Sequence, residues 1–336
     1  LRIGIDLMGS DSSEESFLEA VIHVAAKGRS FLELFVYVHE DRLPRFRSMV
    51  EMASLSPDSS SPIHLIPAKE TIEMEDAPLH AVRRKRDSSM MMGIEALKRG
   101  ELDGFVSAGN TGALIASSAT RLVRLPSIER PALLALLPTV CGRVAVIDIG
   151  GNTSCKPAHL WHFARMGAVY QRLVGGITRP RVGLLNIGTE ASKGTREIQE
   201  AYLALDEHCG SDEGVDMEFV GNIEGRGAFL GKVDVLVSDG FTGNVFLKTA
   251  EGVCTFLLEA LSELFGDDPP EEIRGALRTL SGHINYAEYP GAFIAGIEGV
   301  VVKCHGSASR QAMESCIEGA ICLVERQVIP EMKRAL

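Results

Sequence analysis

Short apolar runs rich in Val, Ile and Leu recur along the chain with almost no polar residue inside them. They are RIGIDL (2–7), LELFVYVH (32–39), IHLIPA (63–68), DGFVSA (103–108), VAVIDI (144–149), RVGLLNI (181–187), MEFVG (217–221), VDVLVS (233–238) and GVVVKC (299–304). Each predicts a strand buried on both faces. Most are separated by segments with apolar positions three and four apart, such as SFLEAVIHVAAKG and LWHFARMGAVYQRLV, which predict amphipathic helices. Buried strands alternating with helices define an α/β fold around a largely parallel sheet. From about Thr249 the pattern is continuously helical apart from a break at GDDPP, which predicts a helical hairpin near 250–290. A final strand and one long amphipathic helix, ASRQAMESCIEGAICLVERQVIPEMK, are expected to close the fold. No Pro/Ser-rich linker divides residues 1–336, which are expected to form a single domain.

Composition narrows the class of protein. Hydrophobic content of 45% and charged content of 24% are those of an ordinary globular chain. With 34 Lys plus Arg against 45 Asp plus Glu, the net charge of −11 argues against nucleic acid as the main partner. The seven cysteines form no Cys-x-x-Cys pair, which fits free thiols in a reducing cytoplasm. The opening LRIGIDLMGS reads as a strand, so no secretory signal is expected. The most apolar stretch, PALLALLPTVCGRVAVIDIG, is interrupted by Pro138, Gly142 and Arg143, so no bilayer span is expected.

The chemistry lies in the loops after the strands. In a parallel sheet, ligands bind beyond the carboxyl ends of the strands, where loops lead into helix N-termini. Six such ends are glycine-rich and polar: DLMGSD, SAGNTG, DIGGNTS, NIGTEASKG, SDGFTGN and KCHGSAS. Two belong to near copies. GELDGFVSAGNTGALI, from Gly100, and GKVDVLVSDGFTGNVF, from Gly231, share Gly, Asp, Val, Ser, Gly, Thr and Gly at matching positions. Each reads as a strand running into a Gly-x-Thr-Gly turn that opens a helix. Such turns suit an anion, because the helix N-terminus offers free N–H groups and a partial positive charge. Tight, well-capped turns with no ligand are the alternative. Neither G-x-G-x-x-G nor G-x-x-x-x-G-K-[ST] occurs, so nicotinamide cofactors and ATP lack support. No His/Cys/Asp cluster has metal spacing, and no G-x-S-x-G elbow is present.

Single residues stand out against equally ordinary readings. Lys193 in NIGTEASKG could neutralise phosphate or polarise a carbonyl, or be a solvated loop lysine. His305 in KCHGSAS could be a general base or phosphate ligand, or a capping histidine. Asn110 and Asn244 could donate to an oxyanion, or only suit the turn backbone. AVRRKRDSSM places Arg83, Arg84, Lys85 and Arg86 before a helix starting near Asp87 or Ser88. That run is a solvated face or a dock for an acidic partner.

Taken in order, IGIDLMGSD, DAPLHAVRRKRDSSM, VSAGNTGAL, RPALLALLPT, DIGGNTSCKPAHLWHFARMG, PRVGLLNIGTEASKGT, GNIEGR, VDVLVSDGFTGNVFLKTAEG and HGSAS resemble the bacterial phosphate acyltransferase family known as PlsX, from residue 3 to about 310. The resemblance implies a three-layer α/β/α sandwich similar to isocitrate and isopropylmalate dehydrogenases, assembled as a homodimer without metal or redox cofactor. It implies transfer of a long acyl group from acyl carrier protein to inorganic phosphate, for phospholipid synthesis. The acyl phosphate would pass to a membrane glycerol-3-phosphate acyltransferase, with the protein cytoplasmic and in peripheral contact with the inner face of the membrane. Lys193, Asn244 and His305 would then be catalytic. Gly109, Asn110, Thr111, Gly112, Asn152, Thr242, Gly243, Gly306 and Ser307 would bind phosphate or substrate. Arg83, Arg84, Lys85 and Arg86 would dock the acidic carrier protein.

Departures from the family pattern are local. MGSDSSE stands where the family reads Met-Gly-Gly-Asp-His-Ala-Pro, so that histidine has no counterpart, although Asp11 remains. GGN (150–152) replaces Gly-Ala-Asn, and the helical hairpin looks shorter. Competing readings are a phosphate acetyl- or butyryltransferase using coenzyme A, a decarboxylating dehydrogenase on a shared fold, and a non-catalytic partner of lipid enzymes.

Overall fold

A computed structural model describes residues 1–29, 31–53, 60–210, 216–266, 270–284, 291–306 and 308–336. The chain divides into two compact units: Leu1–Pro131 with Pro290–Leu336, and Ala132–Tyr289.

The first unit opens with β1 (Arg2–Asp6), α1 (Glu14–Ala26), β2 (Glu33–His39), α2 (Leu43–Met52), β3 (Ile63–Ala68), α3 (Pro78–Arg84), α4 (Ser89–Lys98), β4 (Gly104–Ser107) and α5 (Thr111–Arg121). The second contains β5 (Ala132–Thr139), β6 (Gly142–Ile147), α6 (Pro157–Leu173), β7 (Arg181–Leu185), α7 (Arg196–Gly210), β8 (Glu218–Ile223), α8 (Gly225–Phe229), β9 (Val235–Val237), α9 (Gly240–Phe265) and α10 (Glu271–Ile284). The chain then returns to the first unit with β10 (Ala292–Ala295), β11 (Val300–Lys303), α11 (Arg310–Glu325) and α12 (Val328–Ala335).

Strands of the first unit follow the order β3-β2-β1-β4-β11-β10, and those of the second β5-β6-β9-β7-β8. The pairing is parallel except for β10 with β11 and β5 with β6, so the largely parallel sheet expected from the sequence is present. In the first unit both sheet faces are covered. A Cβ at Gly104 would touch Val324 of α11, whereas the ring of the next residue, Phe105, fills the space at Gly93 of α4. Neighbouring strand residues point to opposite faces, so α11 and α4 lie on opposite sides. In the second unit Gly167 lets α6 close onto Val235 and Ile147.

The doubled motif proves to be a structural repeat at its entrance. Gly100 and Gly231 both take positive φ, at 70° and 72°. Asp103 accepts the backbone N–H of Arg2 at 2.7 Å and its guanidinium at 2.9 Å. Asp234 does the same for Arg181, at 2.8 and 2.9 Å. Each pair clasps the amino end of one strand to the amino end of its neighbour, β1 to β4 and β7 to β9.

Three expectations are corrected. β5 and β10, the two antiparallel additions, were not predicted, because ALLALLPT is rich in helix-forming Leu and Ala and AFIA is very short. The C-terminal helix is two helices, since Gln327 takes the left-handed conformation at φ 52°. Finally, α9 starts at Gly240, at the head of the Gly-x-Thr-Gly turn expected to precede it, and runs on unbroken past Thr249. Gly266 follows α9 with positive φ, and α10 resumes at Glu271, the two helices expected near 250–290.

Candidate active site

In the first unit β1 is flanked by β2 on one side and β4 on the other, so the strand order reverses there and opens a crevice at the carboxyl ends. Asp6, Ser107 and Lys303 end β1, β4 and β11 in matching register and form a buried polar row. The Ser107 hydroxyl donates to the Asp6 carboxylate at 2.8 Å and accepts the Gly109 N–H at 3.1 Å. Full burial pushes the Asp6 carboxyl up to about 6, against the hydrogen bonds it accepts. The loops above are tied together. Asp11 N–H donates to Gly306 O at 3.1 Å, and the Ser12 hydroxyl to Ala308 O at 2.9 Å. His305 is exposed on this loop, and Ser307 lies outside the described residues.

Asn110 caps α5 by accepting the Ala113 N–H at 3.0 Å. Its amide NH2 is directed at the carbonyls of Glu73, Met74 and Asp76, at 3.2, 2.9 and 3.1 Å. The side chain therefore holds the neighbouring loop, while Thr111 and Gly112 form the first turn of α5. Nearby, Arg83, Arg84 and Arg86 are exposed at the end of α3. Lys85 is instead turned inward, with Nζ 2.7 Å from Thr71 O and 2.6 Å from the Asp76 carboxylate.

In the second unit the loop after β6 is organised by one carboxylate. Asp148 Oδ1 accepts the N–H groups of Leu133, Gly150 and Gly151 at 3.0, 3.2 and 2.8 Å. Its Oδ2 accepts the Asn152 amide at 2.8 Å. Burial raises its carboxyl above the usual range, and these hydrogen bonds oppose that rise. The start of α9 packs directly on this loop. Gly240 and Gly243 are needed there, since a Cβ at either would collide with the backbone of Asn152 or Asp148. Asn244 donates to Ile149 O at 3.0 Å.

The two copies of the motif diverge at this end. Asp239, where the first copy has Ala108, caps α9 by accepting the Thr242 N–H at 2.9 Å and its hydroxyl at 2.8 Å. The helix accordingly begins two residues earlier than in the first copy, and Gly240 and Phe241 lie inside its first turn, whereas their counterparts Gly109 and Asn110 precede α5. Lys193 sits on the loop after β7. Its N–H donates to Glu190 O at 3.0 Å, and Nζ is 4.0 Å from the Glu190 carboxylate. Asn186 and Asn222 pin this loop through Lys193 O and Glu190 O, at 3.1 and 2.8 Å. The half-exposed ammonium of Lys193 thus stands on a braced loop.

Asp6, Ser107, Asp148, Asp239 and Lys303 were missed as site-forming residues. Each ends an otherwise apolar strand or follows one within two residues, and that break of pattern is the signal that could have found them. Among the described residues, no three His, Cys, Asp or Glu side chains gather as a metal site requires, and no helix is long and apolar enough to cross a membrane. Along α9, Phe241, Val245, Val253, Phe256 and Leu264 expose an apolar face.

Sheet topology and glycine-rich carboxyl edges together define an α/β fold built on a largely parallel sheet, a fold also found in phosphotransacylases and dehydrogenase-like proteins. Solved structures agree. EutD phosphotransacetylase from Staphylococcus aureus superposes with TM-score 0.61 at 17% identity, over 96% of this chain and 94% of that one. The 4-hydroxythreonine-4-phosphate dehydrogenase of Klebsiella pneumoniae gives TM-score 0.54 at 14% identity, over 96% and 99%. Residues 1–331 match the family described as fatty acid synthesis protein. A phosphate acyltransferase of an Exiguobacterium species is 39% identical, with 100% of this chain and 99% of that protein covered. One from Staphylococcus aureus strain MRSA252 is 36% identical over 100% and 98%. The chain belongs to this phosphate acyltransferase family of fatty acid synthesis.

Proposed function

We propose that the protein transfers a long acyl group from acyl carrier protein to inorganic phosphate, giving acyl phosphate and free carrier protein for phospholipid synthesis. The observation that carries this reading is the end-to-end relationship to phosphate acyltransferases within a fatty acid synthesis family. A phosphate oxygen attacks the thioester carbonyl, the C–O bond forms, and the C–S bond breaks with its electron pair leaving on sulfur. The carrier thiolate then takes up a proton. Phosphate is itself the nucleophile, so positioning and charge stabilisation supply the rate.

Phosphate is assigned to the α5 turn, Gly109 to Gly112, with Gly306 and Ser307. That helix start is capped by a neutral amide, whereas the α9 start already carries the Asp239 carboxylate. Lys193 and Asn244 are assigned to the developing oxyanion, with Asn152, Thr242 and Gly243 shaping their surroundings, and His305 to proton transfer. Arg83, Arg84 and Arg86 present the charge that an acidic carrier protein would meet, with Lys85 bracing their base. The exposed apolar face of α9 supports assembly as a homodimer and peripheral contact with the cytoplasmic face of a membrane, where a glycerol-3-phosphate acyltransferase would take the product.

The test is formation of acyl phosphate from phosphate with either acyl carrier protein or acyl coenzyme A as donor. Lys193→Ala and Asn244→Ala are each expected to lower turnover by about 10²–10³. Preference for coenzyme A would overturn the donor assignment, and unchanged turnover in both variants would overturn the site.

A further inference from the structure

Lys303 is the one buried Lys or Arg among the described residues. It ends β11 in register with Ser107 of β4, and Ser107 in turn pairs with Asp6 of β1. Its Nζ donates to Ala108 O at 3.1 Å and to Cys304 O. Those carbonyls belong to two different loops. Ala108 leads into the Gly109–Gly112 turn, and Cys304 into His305 and Gly306. An ammonium out of water is costly, and two neutral carbonyls return only part of its hydration. Its electrostatic neighbours are the carboxylates of Asp6 and Asp11 and the thiols of Cys304 and Cys316, while β4 contributes only the neutral Ser107 hydroxyl and the Ala108 carbonyl. Burial lowers its pKa to about 8, so the charge is present at neutral pH and is lost as pH rises through that value.

We propose that Lys303 is a positioning residue for phosphate: its ammonium clamps the Ala108 and Cys304 carbonyls, and so sets the two strand-end loops at the spacing that receives the anion. The proposal rests on the assignment of phosphate to those loops, but not on which thioester is the donor. The same clamp joins the turn that receives the anion to the buried row of Asp6, Ser107 and Lys303 at the strand ends.

The test uses the full chain with inorganic phosphate as the probe, read by the phosphate KM in steady-state turnover and by phosphate Kd from 31P NMR titration. Lys303→Met is expected to raise both by roughly tenfold to a hundredfold at pH 7, leaving kcat and the acyl-donor KM nearly unchanged. In wild type, kcat/KM for phosphate is expected to fall above about pH 8, the free-enzyme value, while kcat holds to higher pH because bound phosphate favours the ammonium. Lys303→Arg, whose guanidinium does not titrate in this range, is expected to lose that alkaline limb. A folded Lys303→Met enzyme with wild-type phosphate KM and Kd overturns the proposal. So does an alkaline limb in Lys303→Arg identical to wild type, a comparison that decides the matter even if Lys303→Met does not fold. A preference for acyl coenzyme A would instead strike only the donor assignment, because the phosphate parameters can be measured with either donor.

Discussion

Gly243→Ala isolates the contact between α9 and the Asp148 loop. A Cβ added at 243 would lie 1.9 Å from the Asp148 carbonyl oxygen, whereas non-bonded carbon atoms pack at about 3.5–4.0 Å. The obstacle is backbone on both sides, so no rotamer can relieve it. Either the first turn of α9 lifts away by more than an ångström, or the Asp148 loop gives up the N–H bonds that hold it. Overpacking of this kind costs about 1–3 kcal/mol, and more where backbone must move. Displacing Asn244 by that distance should lower turnover by about 10² even in molecules that remain folded. The contrast is Gly112→Ala, whose Cβ would meet Pro78 Cγ at 2.6 Å, a side-chain atom on the short helix α3. That substitution should be the milder of the two. Urea denaturation gives the stability change, and acyl phosphate formation per folded molecule gives the activity change. A Gly243→Ala enzyme with wild-type midpoint and turnover would refute the argument that close backbone approach is what this glycine is for.

Two further outcomes follow from the buried and clasping carboxylates. Asp6 has a folded-state pKa near 6 against an ordinary 3.8, so the folded protein holds its proton more tightly than the unfolded chain. Wild-type stability should therefore fall between about pH 4 and above pH 6, by up to about 3 kcal/mol. Asp6→Asn should abolish that fall, and parallel urea midpoints for the two proteins across this range would refute the assignment. Asp103→Ala removes the clasp on Arg2 and should lower stability by about 1–3 kcal/mol while leaving turnover per folded molecule unchanged. Denaturation and activity measured on the same samples check both halves of that statement.

Much of the sheet was legible because its strands are buried on both faces, and an unbroken Val/Ile/Leu run such as VDVLVS has few other uses. β5 was harder to read, since Leu and Ala fill it and its strand character comes from antiparallel pairing with β6 across a turn of only Val140 and Cys141. The start of α9 was misplaced for a comparably local reason. The motif aligns Gly240 with Gly109, but a single change, Ala108 to Asp239, supplies an earlier cap and draws two more residues into the helix. The loops that carry chemistry were visible as glycine-rich strand ends. Their internal wiring was only partly so, because Asp148 also reaches Leu133 and Lys303 reaches Ala108, backbone groups that sequence spacing does not mark as neighbours.

The paired Arg–Asp clasps lie at the amino ends of their strands, whereas every residue assigned to chemistry follows a carboxyl end. Each unit thus keeps its mechanical fastening and its reactive loops at opposite edges of the same strands. Substitutions that loosen or tighten the fastening can then be selected for temperature or salt with little effect on the loops. Such a lineage can drift in stability while its catalytic edge stays under separate selection.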